Sequence, residues 1–425
     1  MLSIEKNILT KDGKRFFYLA DTCWSAFTNI SLEDWNYYLD YRVTQGFNVV
    51  QINVLKQWDS SGTKFKYSPF PFKKEDRKEI FDFSKLNEDY FDRAEKMLEM
   101  VKSHGMTPAL VLLWSNYVPD TWAANVGVNN QISYEEISNY ISYVVKRFRK
   151  FHPIYFISGD TDFPTKKTID CYDKALETAK AIDPKALYTF HIKGRLSEVP
   201  EEFLNSMDFF SYQSGHNFEG QHTAYSIPLK LRKMGFSKPI INTEPCYEQI
   251  SYSRNLYGRY TARDVRKASW SAVLSGADAG ITYGAHGIWS WHTKGQSFGI
   301  VEGEGFDSPF DWRNALHFRG ADDISYLKNI MLRFFRNGIF PLKTELKDEE
   351  SIRIGANKEM NRFAIYLPVN TEIDISSLGL SKEKVKAMVI DLEKRKSYEL
   401  GFKNSTQLEL SRAEADSLIL LDKKG

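Results

Sequence analysis

Two acidic residues close apolar, β-rich runs far apart in the chain. Asp160 ends PIYFISGD (153 to 160), and Glu244 lies in KPIINTEP (238 to 245), where Pro245 is placed to halt the strand. Hydrolysis of a glycosidic bond needs such a pair, one carboxyl group to protonate the leaving oxygen and the other to act as nucleophile or base. The ends of the other runs carry hydrogen-bonding groups and rings: Asp21 and Trp24, then Gln51, Asn53 and Trp58, then Trp114, then His191, then Tyr212, Gln213 and His216, and last Tyr283, His286 and Trp289. Sugars are held by this mixture, because their hydroxyls bond to polar side chains and their apolar C–H faces stack on rings. Lys and Arg are nearly missing from these run ends, which argues against a phosphate site. Trp35 and Trp270, inside helical stretches, read as core residues instead.

For this chemistry Asp160 must hold its proton near neutral pH, through burial and the neighbouring Glu244 charge, while Glu244 stays ionised. Asp162 is the spare acid if Asp160 only orders the SGDTDF turn. Tyr212 is expected to hydrogen-bond Glu244, and His191 and His216 to bind sugar hydroxyls; His191 also fits a satisfied core histidine. Cys246, beside Glu244, reads as a wall of the pocket.

Eight β-rich runs position these residues: FFYLADTCW (16 to 24), FNVVQINVL (47 to 55), TPALVLLW (107 to 114), PIYFISGD, ALYTFHI (186 to 192), FFSYQS (209 to 214), KPIINTEP and GITYGAHG (280 to 287), with helical stretches between most of them. Ser31 is a candidate N-cap for the first helix, with Asp34 three residues on and Gly46 at its end. Alternation of this kind predicts parallel strands with crossover helices, and eight of them an α/β fold, the (β/α)8 TIM barrel. Its chemistry lies where the strands' C-terminal ends meet one mouth, so Asp160 and Glu244, three strands apart, are expected to face each other there. The insertion 56 to 86 and the loop 214 to 236 are expected to shape that mouth toward exo action. After about residue 340, runs such as SIRIGANK, NRFAIYLPV and SLILLD alternate apolar and polar residues, predicting a barrel over 1 to 338 and a small C-terminal antiparallel β-sandwich over 339 to 425.

Composition narrows the alternatives. The 425 residues carry 57 Lys and Arg against 55 Asp and Glu, a net charge of +2, too balanced for affinity that comes from neutralising phosphates. Neither nucleic acid nor a membrane is the expected partner; a carbohydrate is, and no feature selects an oligomeric state. Aromatic residues make up 14%, with nine Trp, and this surplus supports a carbohydrate cleft. Three scattered cysteines without a CxxC support no disulfide framework or zinc ribbon, and the start of the chain lacks a secretory apolar segment, so a cytoplasmic setting is expected. No cofactor is called for: G-x-G-x-x-G is absent after the first run. A metal-dependent barrel would want H-x-H near ADTCW, and the pair His216 and His222 has no third partner at ligand spacing. A serine hydrolase would want G-x-S-x-G. A silent carbohydrate-binding barrel need not keep two opposed carboxyls.

YLADTCWSAF, GFNVVQINVLKQWD, ISGDTDF, INTEPCYE and ITYGAHGIWSWH together resemble the apiosidase-like glycoside hydrolases, over about residues 1 to 340. The tail resembles the collagen-binding-type β domain usually attached to that barrel, although nothing in its sequence selects collagen. The resemblance implies that Asp160 is the general acid/base and Glu244 the nucleophile of a retaining reaction, with the two carboxyls about 5 to 5.5 Å apart. This chain has SGD where the wider retaining barrels have Asn-Glu on the fourth strand.

Overall fold

The computed structural model describes residues 1–5, 8–73, 80–126, 130–253, 256–299, 305–343, 351–369, 371–410 and 416–424. Its centre is a barrel of eight parallel strands: β1 (Tyr18–Thr22), β2 (Val49–Asn53), β3 (Thr107–Trp114), β4 (Ile154–Gly159), β5 (Leu187–Thr189), β6 (Phe210–Gln213), β7 (Ile240–Glu244) and β8 (Gly280–Tyr283). The ladder runs β5-β4-β3-β2-β1-β8-β7-β6. The two end strands meet through single bonds rather than a ladder, with Asp208 N donating to Tyr188 O at 2.8 Å and Thr189 Oγ1 to Phe209 O at 2.7 Å. Every residue of β3 is buried, as its nearly unbroken apolar run requires of a strand covered on both faces.

The outer layer comes from α1 (Leu32–Thr44), α2 (Glu88–Ser103), α3 (Tyr134–Phe148), α4 (Lys166–Ile182), α5 (Thr223–Lys233), α6 (Ala262–Leu274) and α7 (Gly320–Phe334). Ser31 caps α1, its hydroxyl accepting from Asp34 N at 3.0 Å, and Gly46 follows the helix in the left-handed region at φ 83°. α4 is capped by Thr165, so Asp160 is free of that duty. The segment 214 to 236, expected as a loop, contains α5 despite Pro228: the apolar face of Ala224, Ile227, Pro228 and Leu231 packs on the barrel and outweighs the missing N–H. A three-stranded antiparallel sheet (Leu2–Glu5, Ile8–Lys11, Lys14–Arg15) precedes β1.

The tail is one antiparallel sheet of β9 (Phe340–Pro341), β10 (Arg353–Ala356), β11 (Arg362–Leu367), β12 (Val385–Asp391), β13 (Lys396–Glu399) and β14 (Ser417–Lys423), in the order 9-10-11-14-12-13. Its period of two separates two cores. Ala364, Tyr366, Ile390, Leu418 and Leu420 join the barrel's core, whereas Phe363, Ile365, Val389, Ile419 and Leu421 pack with Ile373, Ile375, Leu380 and Leu408 from the tail's own connections. The chain between barrel and tail, 336 to 350, is described only to residue 343.

Candidate active site

The mouth of the barrel holds a cavity of about 340 Å³, and Asp160 and Glu244 both line it. Each is aimed by an irregularity at the end of its strand. On β7 the register with β6 shifts between Asn242, opposite Tyr212, and Glu244, opposite Gln213. Thr243 is thus one residue extra, a β-bulge that turns Glu244 onto the inward face it shares with Gln213. Asp160 follows β4 in the left-handed region, φ 53°, and both its backbone groups are fastened: its N–H donates to His191 Nδ1 at 3.1 Å and its carbonyl accepts from Trp122 Nε1 at 2.7 Å. The Gly159 preceding it has no room for a side chain, since a Cβ would lie 2.3 Å from the Trp114 ring.

The two carboxyl groups have opposite surroundings. Burial alone would push Glu244 up, but two imidazoles outweigh it and leave the group at about 2. His216 donates from Nε2 to Oε1 at 2.9 Å, its Nδ1 accepting from Tyr247 N at 3.4 Å. His191 Nε2 stands 3.1 Å from Oε2, off the line of a good hydrogen bond, and neither atom has another partner among the described residues. In both rings Nδ1 is occupied as an acceptor, which puts the proton on the Nε2 that faces the carboxylate. Asp160 is held well above the ordinary carboxylate range by burial, then by the charges of Glu244 and Asp59; Gln213, donating from Nε2 to Oδ1 at 2.6 Å, and Lys193 pull the other way. One carboxyl group is thus poised as an acid and the other as an anion.

Rings wall the cavity: Trp24, Trp58, Trp114, Trp122, Tyr247 and Trp289, with Phe298 and Phe306. Trp24 donates to the Tyr247 hydroxyl at 3.0 Å, and Tyr247 lies 4.2 Å from the His216 ring, so the wall also supports the carboxylate's partner. Trp114 Nε1 has no partner among the described residues.

Of the residues expected to bind substrate, Trp24, Trp58, Trp114, Gln213, His216 and Trp289 line the cavity, while His191 lies behind it against the catalytic pair. The others do not line it. Asp21 faces the helices, accepting from Arg42 Nε at 2.6 Å and Tyr38 OH at 2.7 Å. Tyr283 bonds Glu248 at 2.7 Å, and Tyr212 donates to Ala224 O at 2.7 Å, leaving no bond from it to Glu244. These three alternate with inward residues, and tip position alone does not distinguish the faces. Gln51 points inward but lies below the mouth, tied to Tyr18, Thr282 and Thr243. Asn53 holds Gln57 at 2.9 Å, and His286 accepts from Trp289 Nε1 at 3.0 Å, steadying that ring from behind; burial lowers His286 to about 3. Cys246 is buried away from the cavity, and Asp162 is bonded to Trp122 N at 3.3 Å. The near absence of cations also needs correcting: Lys193 and Arg195, beyond β5, line the cavity, Lys193 3.9 Å from Asp162. Asp59, Gln57, Trp122 and Tyr247 are site residues that reading the strand ends missed; Asp59 stood next to Trp58 in QWD, six residues past the end of β2.

The family described as apiosidase-like, catalytic domain, matches residues 3–336. Nothing matches among curated proteins. A solved structure titled glycoside hydrolase is 20% identical with a TM-score of 0.78, covering 99% of this chain and 96% of its own. A glycoside hydrolase family 5 structure from Bacteroides vulgatus ATCC 8482 is 22% identical with a TM-score of 0.77, covering 99% of this chain and 93% of its own. At these identities the likeness shows the fold.

Proposed function

The chain belongs to the apiosidase-like family of glycoside hydrolases, and from that premise we propose that it removes a terminal sugar from an oligosaccharide or glycoside with retention of configuration. The observation that carries this reading is the pair of carboxyl groups on one cavity, Glu244 brought down to about 2 and Asp160 held up. In the first step Asp160 gives its proton to the glycosidic oxygen as the C–O bond breaks, and Glu244 attacks the anomeric carbon to form a glycosyl ester. Asp160, now ionised, takes a proton from water, which attacks the same carbon and returns Glu244 as carboxylate. The cavity volume, at the small end of the roughly 300–1,000 Å³ of ligand clefts, supports one terminal ring rather than a chain running through.

A screen of plant and microbial oligosaccharides with the wild type beside Glu244→Gln tests the reading. The wild type is expected to release one monosaccharide, and the variant to be slower by on the order of 10⁴-fold. Cleavage mainly at internal bonds would refute exo action, and NMR showing the opposite anomer formed first would refute retention.

A further inference from the structure

A third carboxyl group faces the cavity, and the two-carboxylate reaction leaves it without a task. Asp59 lines the same hollow as Asp160 and Glu244. It is held there by a relay of amides rising from β2: Asn53 Nδ2 donates to Gln57 Oε1 at 2.9 Å, and Gln57 Nε2 donates to Asp59 Oδ1 at 2.7 Å. The segment just beyond is fastened to the opposite side of the mouth. Ser61 bridges Phe298, Gly62 N donates to Ser297 O at 2.7 Å, and a Cβ on Gly62 would lie 2.5 Å from Ser297 Oγ. Asp59 is thus built into the wall.

Its charge is eased by the Gln57 amide, its own backbone N–H and His216, none of them a lysine or arginine. Among the described residues no cation pairs with Asp59, and no side chain takes its second oxygen. The charged and titratable groups around it are Glu244, Asp160 and His216. Packing a third acid against two others is unfavourable for the empty protein, and such arrangements collect where a ligand supplies the missing partner. Burial and the Glu244 charge push Asp59 up to about 6, with the Gln57 amide opposing them, so it is an ionised acceptor at neutral pH. The adjacent Trp58 ring, 5.8 Å from Trp122, offers an apolar face beside that acceptor.

We propose that Asp59 determines specificity by accepting a hydrogen bond from a hydroxyl of the sugar held between Asp160 and Glu244, so that the enzyme requires that hydroxyl to be present and unsubstituted. The inference rests on the glycosidase reading and adds a requirement to it. A site built around a substrate hydroxyl discriminates strongly against analogues lacking it, because the acceptor is then left buried and unpaired.

The test compares wild type with Asp59→Asn on the glycoside found by the screen and on its singly deoxygenated analogues. The variant's Oδ1 still accepts from Gln57, so the relay and the fold are preserved; a melting temperature at pH 7 no lower than that of the wild type checks this, since the charge removed is an unfavourable one. In the wild type one deoxy position is expected to lower kcat/KM by about 10²-fold or more, and in Asp59→Asn the same deletion to cost little further. The basic limb of the pH profile should also move to lower pH in the variant. Asp160 is faced by Glu244, Asp59 and Lys193 with His191 at its backbone, and loss of the Asp59 charge makes its proton easier to lose. Unchanged kcat/KM in the variant, or equal losses at every deoxy position, overturns the proposal while leaving the glycosidase reading standing. A wild type that cleaves no glycoside overturns both.

Discussion

Glu244 and Asp160 differ by one methylene, yet the protein pulls their proton affinities apart, and each pull has a consequence for stability. Asp160 is raised by burial and by two neighbouring charges. An acid whose folded pKa exceeds its unfolded value, about 3.9, destabilises the fold increasingly as pH rises above that value, and the loss persists at neutral pH. Asp160→Asn removes this term, and Asn tolerates the left-handed backbone at that position. The variant is therefore expected to melt higher at pH 7, by about 1–3 °C, with the difference shrinking toward pH 4, while activity falls about 10²–10⁴-fold. Calorimetry across pH checks the first part and kinetics the second; a lower melting point at pH 7 would contradict the electrostatic account. The acid pair was legible in the sequence because both residues end apolar runs. The histidines were legible as site residues, but their attachment to Glu244 rather than to sugar depends on ring orientations that backbone neighbours impose, and nothing in HIKG or SGHN announces those.

At the level of elements, strands are the most readable part of this chain, and their ends the least. TPALVLLW forms the expected strand residue for residue because burial on both faces leaves no polar position to blur the pattern. ALYTFHI yields only Leu187–Thr189, since it borders the side of the barrel that has no ladder. The bulge at Thr243 has no local signal, yet it decides which way Glu244 points. Alternation, by contrast, sends Asp21, Tyr212 and Tyr283 toward the helices, a distinction that reading tips alone does not make. Gly159 illustrates how tightly β4 and β3 fit above this level: a methyl group there meets the Trp114 ring and Val111. Gly159→Ala is expected to destabilise by about 1–3 kcal/mol and to lower kcat/KM more than tenfold, because Trp114 must leave its place beside His191. Denaturant unfolding and kinetics of one preparation check both; an unchanged kcat would show that the ring has room to move.

Across the whole molecule, barrel and tail are joined by buried charge as well as by apolar packing. Arg266 on α6 makes two bonds to Asp416, just ahead of β14, at 2.9 and 2.6 Å, and one to Asp323 on α7 at 2.8 Å; Asp323 also accepts from Arg395 at 2.7 Å. Trp270 of the same helix stacks near Tyr366 of β11, 6.5 Å between ring centres. Removing one member of such a cluster strands the others without water, so Asp416→Ala is expected to destabilise by about 3–5 kcal/mol. Barrel and tail should still unfold in one calorimetric transition; two separated transitions in the wild type would mean the joint does not couple them. The alternating tail sheet carries a further implication. One side of its strands is spent against the barrel and the other is roofed by the tail's own connections, while the rim strand β13 reads KSYE, whose charges discourage edge pairing. The cover is not complete: where the end of α7 meets β11, β14, β12 and β13, a hollow of about 410 Å³ opens between Phe334, Arg362, Met388 and Leu420, so the tail presents an outside molecule with this recess as well as with its loops.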